Sequence, residues 1–165
     1  MEIPVDIVKY TIRAAAAKKA KIIVNAAPAV PIGKEYFAMC SLVVLNEAEA
    51  MFYMHKKFAG KDDAVKMIPG FAEELSTAVC ITLGPDGVIY CDRNNLYTFP
   101  AIDVPVVETT GAGDSFIGGM IYAMAGNNDL PGCLKIASCC SAVTIQHTGA
   151  QKSMASLSQL RQLMT

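Results

Sequence analysis

The chain has no cluster of Lys or Arg, only two histidines, no C-x-x-C pair and no apolar run long enough to span a bilayer. Its 14 basic and 15 acidic residues are mixed along the sequence, for a formal net charge of -1 and a pI near 6.1. A nucleic-acid backbone is tracked by a basic stripe, so no nucleic-acid partner is expected. His55 and His147 stand alone, which argues against a metal centre built on histidine. Residues 1–6 carry acids where a secretory signal carries positive charge. With no bilayer-spanning run, the expectation is a soluble, cytoplasmic protein with no membrane partner. Internal repeats and low-complexity linkers are also missing. Cys40, Cys80, Cys91, Cys133, Cys139 and Cys140 lie mostly in apolar stretches and read as reduced core residues.

What is there is a chain of 165 residues, the size of one domain or of part of one. Hydrophobic residues make up 53% of it and the mean hydropathy is +0.35, against ~45–50% in ordinary domains. The excess suggests apolar surface that something else normally covers.

Residues 6–19 place Ile7, Val8, Ile12 and Ala15 at helical spacing, and residues 21–25 form a compact β-branched run. Two prolines, Pro28 and Pro31, forbid continuation of either element. Residues 41–45 read as a buried strand ending at Asn46, followed by a helix to about residue 58. Residues 61–75 form a second amphipathic helix with Ala64, Val65, Ile68 and Phe71 inward. A strand over 78–83, a tight turn at Gly84-Pro85-Asp86-Gly87 and a strand over 88–91 follow. The run 104–107 reads as a short strand, 118–125 as a closely packed helix, and 130–146 as a buried helix with Pro131 near its start. Thr148-Gly149-Ala150-Gln151 stops it, and 157–164 is a final helix. Alternating strands and helices predict an α/β fold, a mainly parallel sheet with helices on both faces. Such sheets bind ligands beyond the carboxyl ends of their strands. Asn46, Gly84 and Gly111 all fall at or just after predicted strand ends, so they are expected to converge on one edge of the sheet.

The stretch Glu108-Thr109-Thr110-Gly111-Ala112-Gly113-Asp114-Ser115-Phe116 joins the last predicted strand to a helix. Gly111 and Gly113 free the backbone to turn and let a ligand approach it. The amides that follow, backed by the helix dipole, suit an anion, phosphate above all. A carboxylate repels phosphate, so Asp114 reads as a base taking a proton from an attacking hydroxyl. The structural alternative is that Asp114 only caps the helix. Asn46 and Glu49 have two compatible readings: a capping box, and oxygen ligands for magnesium and its phosphates. Gly84 and Gly87 serve a tight turn, or leave flat backbone for an adenine or ribose to lie against.

Four ordered segments, Leu45-Asn46-Glu47-Ala48-Glu49-Ala50, Thr82-Leu83-Gly84-Pro85-Asp86-Gly87, Thr109 through Phe116, and Thr148-Gly149-Ala150-Gln151, resemble the ribokinase (PfkB-type) sugar kinases. Val24-Asn25-Ala26-Ala27-Pro28-Ala29 resembles a strand and turn of the same family. The likeness runs through nearly the whole chain but covers only the C-terminal half of such a kinase, a single ATP-binding and catalytic domain over residues 1–165. It implies ATP-dependent phosphorylation of a sugar primary hydroxyl, ribose to ribose 5-phosphate. Asp114 is then the base, and the amides of Gly111, Ala112 and Gly113 hold the transferring phosphoryl group. Asn46 and Glu49 match an Asn-x-x-Glu that organises Mg2+ and phosphates, Glu49 through water. Thr82, Gly84, Gly87 and Gly113 lie along ATP. Glu108, Thr110, Thr144, His147, Gly149 and Ser153 match the positions that bind potassium, several through backbone carbonyls.

The sequence departs from the family pattern at Glu108, where an aspartate is usual, and at Ser138, where a larger polar residue is usual near the adenine. The sugar-binding motif and lid belong to the half that is not matched. The expectation is therefore weak ATP binding and little ribose phosphorylation by this chain alone, with self-association as a homo-oligomer or pairing with the missing half. The alternatives are another PfkB-type kinase (fructokinase, ketodeoxygluconate kinase or nucleoside kinase), or a non-catalytic nucleotide-binding protein.

Overall fold

The computed structural model describes residues 1–164, which fold as two compact units, Met1–Thr98 and the segment from Phe99 onward. The strands β1 (Ile23–Asn25), β2 (Leu42–Asn46), β3 (Ala78–Thr82), β4 (Val88–Cys91) and β5 (Leu96–Phe99), all but the last residue of β5 in the first unit, form one five-stranded sheet in that order. β1, β2 and β3 run parallel, with Val43 between Val24 and Val79, and β4 returns antiparallel to β3. The helix α1 (Val5–Ala17) precedes β1, and the parallel connections carry α2 (Lys34–Phe37), α3 (Glu47–Met54) and α4 (Lys61–Leu75), as crossovers between parallel strands require.

The register explains the core. Alternate residues Val43, Leu45, Val79, Ile81 and Ile89 point into one cluster with Val8 and Ile12 of α1, Phe37 of α2, and Ile68 and Phe71 of α4. Their opposite-facing neighbours Leu42, Val44, Cys80 and Val88 are buried too, which is why β2 and β3 read as unbroken apolar runs rather than alternating ones. Each such side chain contributes roughly 1.5–3 kcal/mol by leaving water. The inward stripe of α1 is narrower than expected: Val8 and Ile12 are buried, while Ile7 is 51% exposed.

Three local expectations change. α3 ends at Met54, short of residue 58, because His55 turns into the left-handed region at φ 52°. The short α2 and β5 fall in segments with no periodicity to announce them. Residues 104–107 form no strand; Pro105 has no N–H for a ladder, and Val106 and Val107 are 63% and 59% exposed.

The second unit contains α5 (Ala112–Ala125), α6 (Leu130–Thr144) and α7 (Leu157–Met164). α6 starts where sequence placed it, with the Asp129 carboxylate accepting from Gly132 N at 2.9 Å and Pro131 in the first turn. α5 and α6 pack backbone to backbone at Gly119, where a Cβ would stand 2.6 Å from Cys140 Sγ and 2.9 Å from Ala137 Cα. All six cysteines are free and buried. Burial pushes the thiols of Cys40 and Cys140 up to about 11, so they stay protonated and inert. Among the described residues no helix is long and apolar enough to cross a membrane.

Candidate active site

In the first unit, Asn46 and Thr82 are register partners at the last positions of β2 and β3, so the two segments singled out there do share one end of the sheet. Asn46 is also the N-cap of α3. Its side chain accepts from Glu49 N at 2.9 Å, and Glu49 Oε2 accepts from Asn46 N at 2.8 Å. The capping box is therefore real, and it leaves the second carboxylate oxygen of the buried Glu49 without a protein partner among the described residues. A single hard oxygen held on a fixed helix end suits magnesium bound through water. Thr82 Oγ1 donates to Leu45 O at 3.4 Å. Beyond it, Gly84 (φ 54°) and Gly87 (φ 88°) bound a single 3-10 turn closed by Gly87 N on Gly84 O at 3.1 Å. A Cβ on Gly84 would meet nothing within 4 Å; the backbone angle, not crowding, calls for glycine, and the turn's face is open.

In the second unit, Gly111 is the N-cap of α5 at φ 81°, and a Cβ there would press within 3.2 Å of Ala150 Cα. No strand precedes it, so this turn is not placed by a strand end as the sequence suggested. It is held from α6 and the loop after it: Val107 N and Glu108 N both donate to Ile145 O, at 2.7 and 3.2 Å. The Glu108 carboxylate accepts from Gly149 N at 2.9 Å. The Thr110 hydroxyl, and after it this amide, holds the Glu108 carboxyl below the usual glutamate range.

The row of free donors differs from the expected one. Ala112 N donates to Thr109 O at 3.2 Å and Ser115 N to Gly111 O at 2.9 Å, whereas the amides of Gly111, Gly113 and Asp114 have no acceptor among the described residues. Ala112 thus closes the turn, and the amide of Asp114 takes its place in the row. The Asp114 side chain is exposed and makes no capping bond. Asp114 thus lies in the first turn of a 14-residue helix, in the same short segment as the three free N–H groups.

The residues matched to a potassium site are only partly drawn together. Glu108, Thr110 and Gly149 are linked through the Glu108 carboxylate. Thr144 turns its hydroxyl the other way, donating to Ser115 Oγ at 2.8 Å, while its carbonyl accepts from His147 N at 3.2 Å. His147 Nδ1 bonds Val143 O at 3.0 Å, and Ser153 Oγ donates to Ala150 O at 2.8 Å. Of the six positions, only Glu108, Thr110 and Gly149 are joined around one carboxylate, an oxygen donor of the kind a hard cation takes. Among the described residues no three His, Cys, Asp or Glu side chains gather as a metal centre. Sequence reasoning passed over Ser115 and Ser141: hydroxyls on helices carry no periodic signal, and only the α5–α6 packing shows that both bridge the two helices.

The sequence profile of the pfkB family carbohydrate kinases matches residues 1–157. The ribokinase of Schizosaccharomyces pombe is 32% identical over 163 residues, 95% of this chain and 51% of that protein. The ribokinase of Haemophilus influenzae is 27% identical over 154 residues, 93% of this chain and 50% of that protein. In structure the chain is similar to Arabidopsis thaliana ribokinase complexed with ribose and ATP, with a TM-score of 0.91 at 23% identity over 99% of this chain and 53% of that one. The Thermotoga maritima ribokinase gives 0.81 at 24% over 94% and 53%. These structural likenesses establish a ribokinase-like α/β fold, and the chain spans about half the length of the curated relatives it matches. With a profile match across nearly its whole length and these motifs in place, the chain belongs to the PfkB family of carbohydrate kinases.

Proposed function

We propose that this chain is the nucleotide-binding and phosphoryl-transfer half of an ATP-dependent sugar kinase, with ribose as acceptor. The observation that carries the reading is the start of α5, where the amides of Gly111, Gly113 and Asp114 are free in the same turn that carries the exposed, unengaged Asp114 side chain. Phosphoryl transfer asks a protein for positioning and for charge stabilisation. Fixed N–H donors supply the second without reorganising. Asp114 accepts the proton of the sugar's primary hydroxyl as the hydroxyl attacks. Thr82, Gly84 and Gly87 lie along ATP, and Asn46 and Glu49 hold magnesium through water, where the ion offsets phosphate charge. Glu108 and the carbonyls of the 144–153 loop hold potassium. Ribose is favoured because the relative that is 32% identical is a ribokinase and a similar structure was solved with ribose and ATP.

The sugar pocket and lid come from a complementing half or from association of copies, and the protein works in the cytoplasm. This chain alone binds MgATP weakly and turns over little ribose. The test is calorimetric MgATP binding to the parent and Asp114→Asn, with ribose-dependent ADP release measured after adding the sugar-binding half of a PfkB kinase. Asp114→Asn is expected to keep its affinity while turnover falls by ~100-fold or more. Full turnover in that variant overturns the base assignment. Fast ribose-dependent ADP release by the chain alone overturns the division of labour, and release with fructose or a nucleoside but not ribose overturns the choice of acceptor.

A further inference from the structure

The segment from Val107 to Ser115 has almost no regular structure of its own before α5 begins, and its bonds run to one short stretch of chain. Val107 N and Glu108 N donate to Ile145 O; Ser141 Oγ donates to Ala112 O at 2.6 Å; Ser115 Oγ donates to Cys140 O at 3.1 Å and accepts from Thr144 Oγ1 at 2.8 Å. Ser141 is distinct among these. Ser115 and Thr144 lie buried within the α5–α6 interface, whereas Ser141 is half-buried and reaches the carbonyl of the residue between the two glycines. Ala112 O belongs to the peptide unit whose nitrogen is the Gly113 amide. A bond to that carbonyl therefore fixes the direction in which Gly113 N–H points.

We infer that Ser141 is a positioning residue that aims the Gly113 amide, and through it the anion-binding row, at the terminal phosphate of the nucleotide. The inference rests on the proposed kinase reading and adds a residue to it. Ser141 touches no substrate itself. Because alanine is a better helix former than serine, Ser141→Ala removes the hydroxyl and its bond to α5 without weakening α6 itself. Ser141→Thr keeps the hydroxyl.

The experiment is solution NMR and calorimetry on the full chain, comparing the parent, Ser141→Ala and Ser141→Thr with MgATP and MgADP. In the parent, MgATP is expected to shift the amide signals of Gly111, Gly113 and Asp114. In Ser141→Ala the preference for MgATP over MgADP falls about five- to tenfold, the loss of one hydrogen bond, while MgADP affinity stays within twofold; Ser141→Thr restores the preference. A general loosening of the helix pair lowers both affinities together and does not give this pattern. If the parent signals shift but Ser141→Ala keeps the parental preference, or loses both affinities equally, the positioning role is wrong and the kinase reading stands. If MgATP moves none of the three parental amides, the kinase reading fails and the positioning role falls with it.

Discussion

The Glu108 carboxylate accepts a hydrogen bond from the backbone amide of Gly149, 41 residues later, at 2.9 Å. This bond ties the segment entering the glycine turn to the loop leaving α6. The Thr110 hydroxyl first, and this amide second, lower the Glu108 pKa.

A group whose folded pKa is depressed stabilises the fold above its unfolded pKa and loses that contribution as pH falls through the folded value. The parent is therefore expected to melt above Glu108→Gln at neutral pH, and the gap should close below about pH 4.5, the ordinary value for this carboxyl. Thermal melts of both proteins across a pH series check this. The exposed position makes the gap small, and a gap that widens on acidification contradicts the assignment.

Gly111 and Gly113 should separate stability from binding. Gly111 sits at φ 81° with Ala150 Cα 3.2 Å from where a Cβ would stand, so Gly111→Ala is expected to cost about 1–2 kcal/mol. Gly113 has open space and lies inside α5. Gly113→Ala should gain roughly 0.5–1 kcal/mol in denaturant unfolding and still lose nucleotide affinity, because its methyl group occupies the approach to the amides.

Asn46 carries two duties that substitution can part. Asn46→Ala removes the acceptor for Glu49 N and should destabilise the chain by ~1 kcal/mol, whereas Asn46→Ser, an equivalent cap, should cost little. If Asn46 also orders magnesium, Asn46→Ser will still weaken MgATP binding, measured as the ratio of affinities with and without the metal. An unchanged ratio leaves Asn46 as a cap alone.

The Ser115–Thr144 pair predicts an asymmetry. Thr144 is 0% exposed and its hydroxyl donates to Ser115 Oγ. Ser115→Ala leaves that buried hydroxyl without its acceptor, for an expected loss of about 1–3 kcal/mol. Thr144→Val keeps the shape and leaves Ser115 bonded to Cys140 O, so it should cost less. Equal losses in chemical denaturation would mean that packing, not the hydroxyl network, dominates this interface.

Short-range chemistry was legible in the sequence. The Asn46–Glu49 capping box, the start of α6 at Asp129 and Pro131, the strands β1 to β4 and the glycine at the N-cap of α5 depend on residues a few positions apart, and their signals are conformational angle, cap geometry and apolar period. The four motif segments lie in such places, which is why the family could be read from them. What sequence could not supply was the partner of each polar group across the chain. That Ala112 N closes its own turn, that Thr144 turns its hydroxyl to Ser115, and that Val107 and Glu108 bond Ile145 rather than a neighbouring strand are outcomes of competition among donors and acceptors brought together only by folding. Buried hydrogen bonds must be satisfied by whichever groups the packing of α5 on α6 places within reach, and no local pattern records that choice.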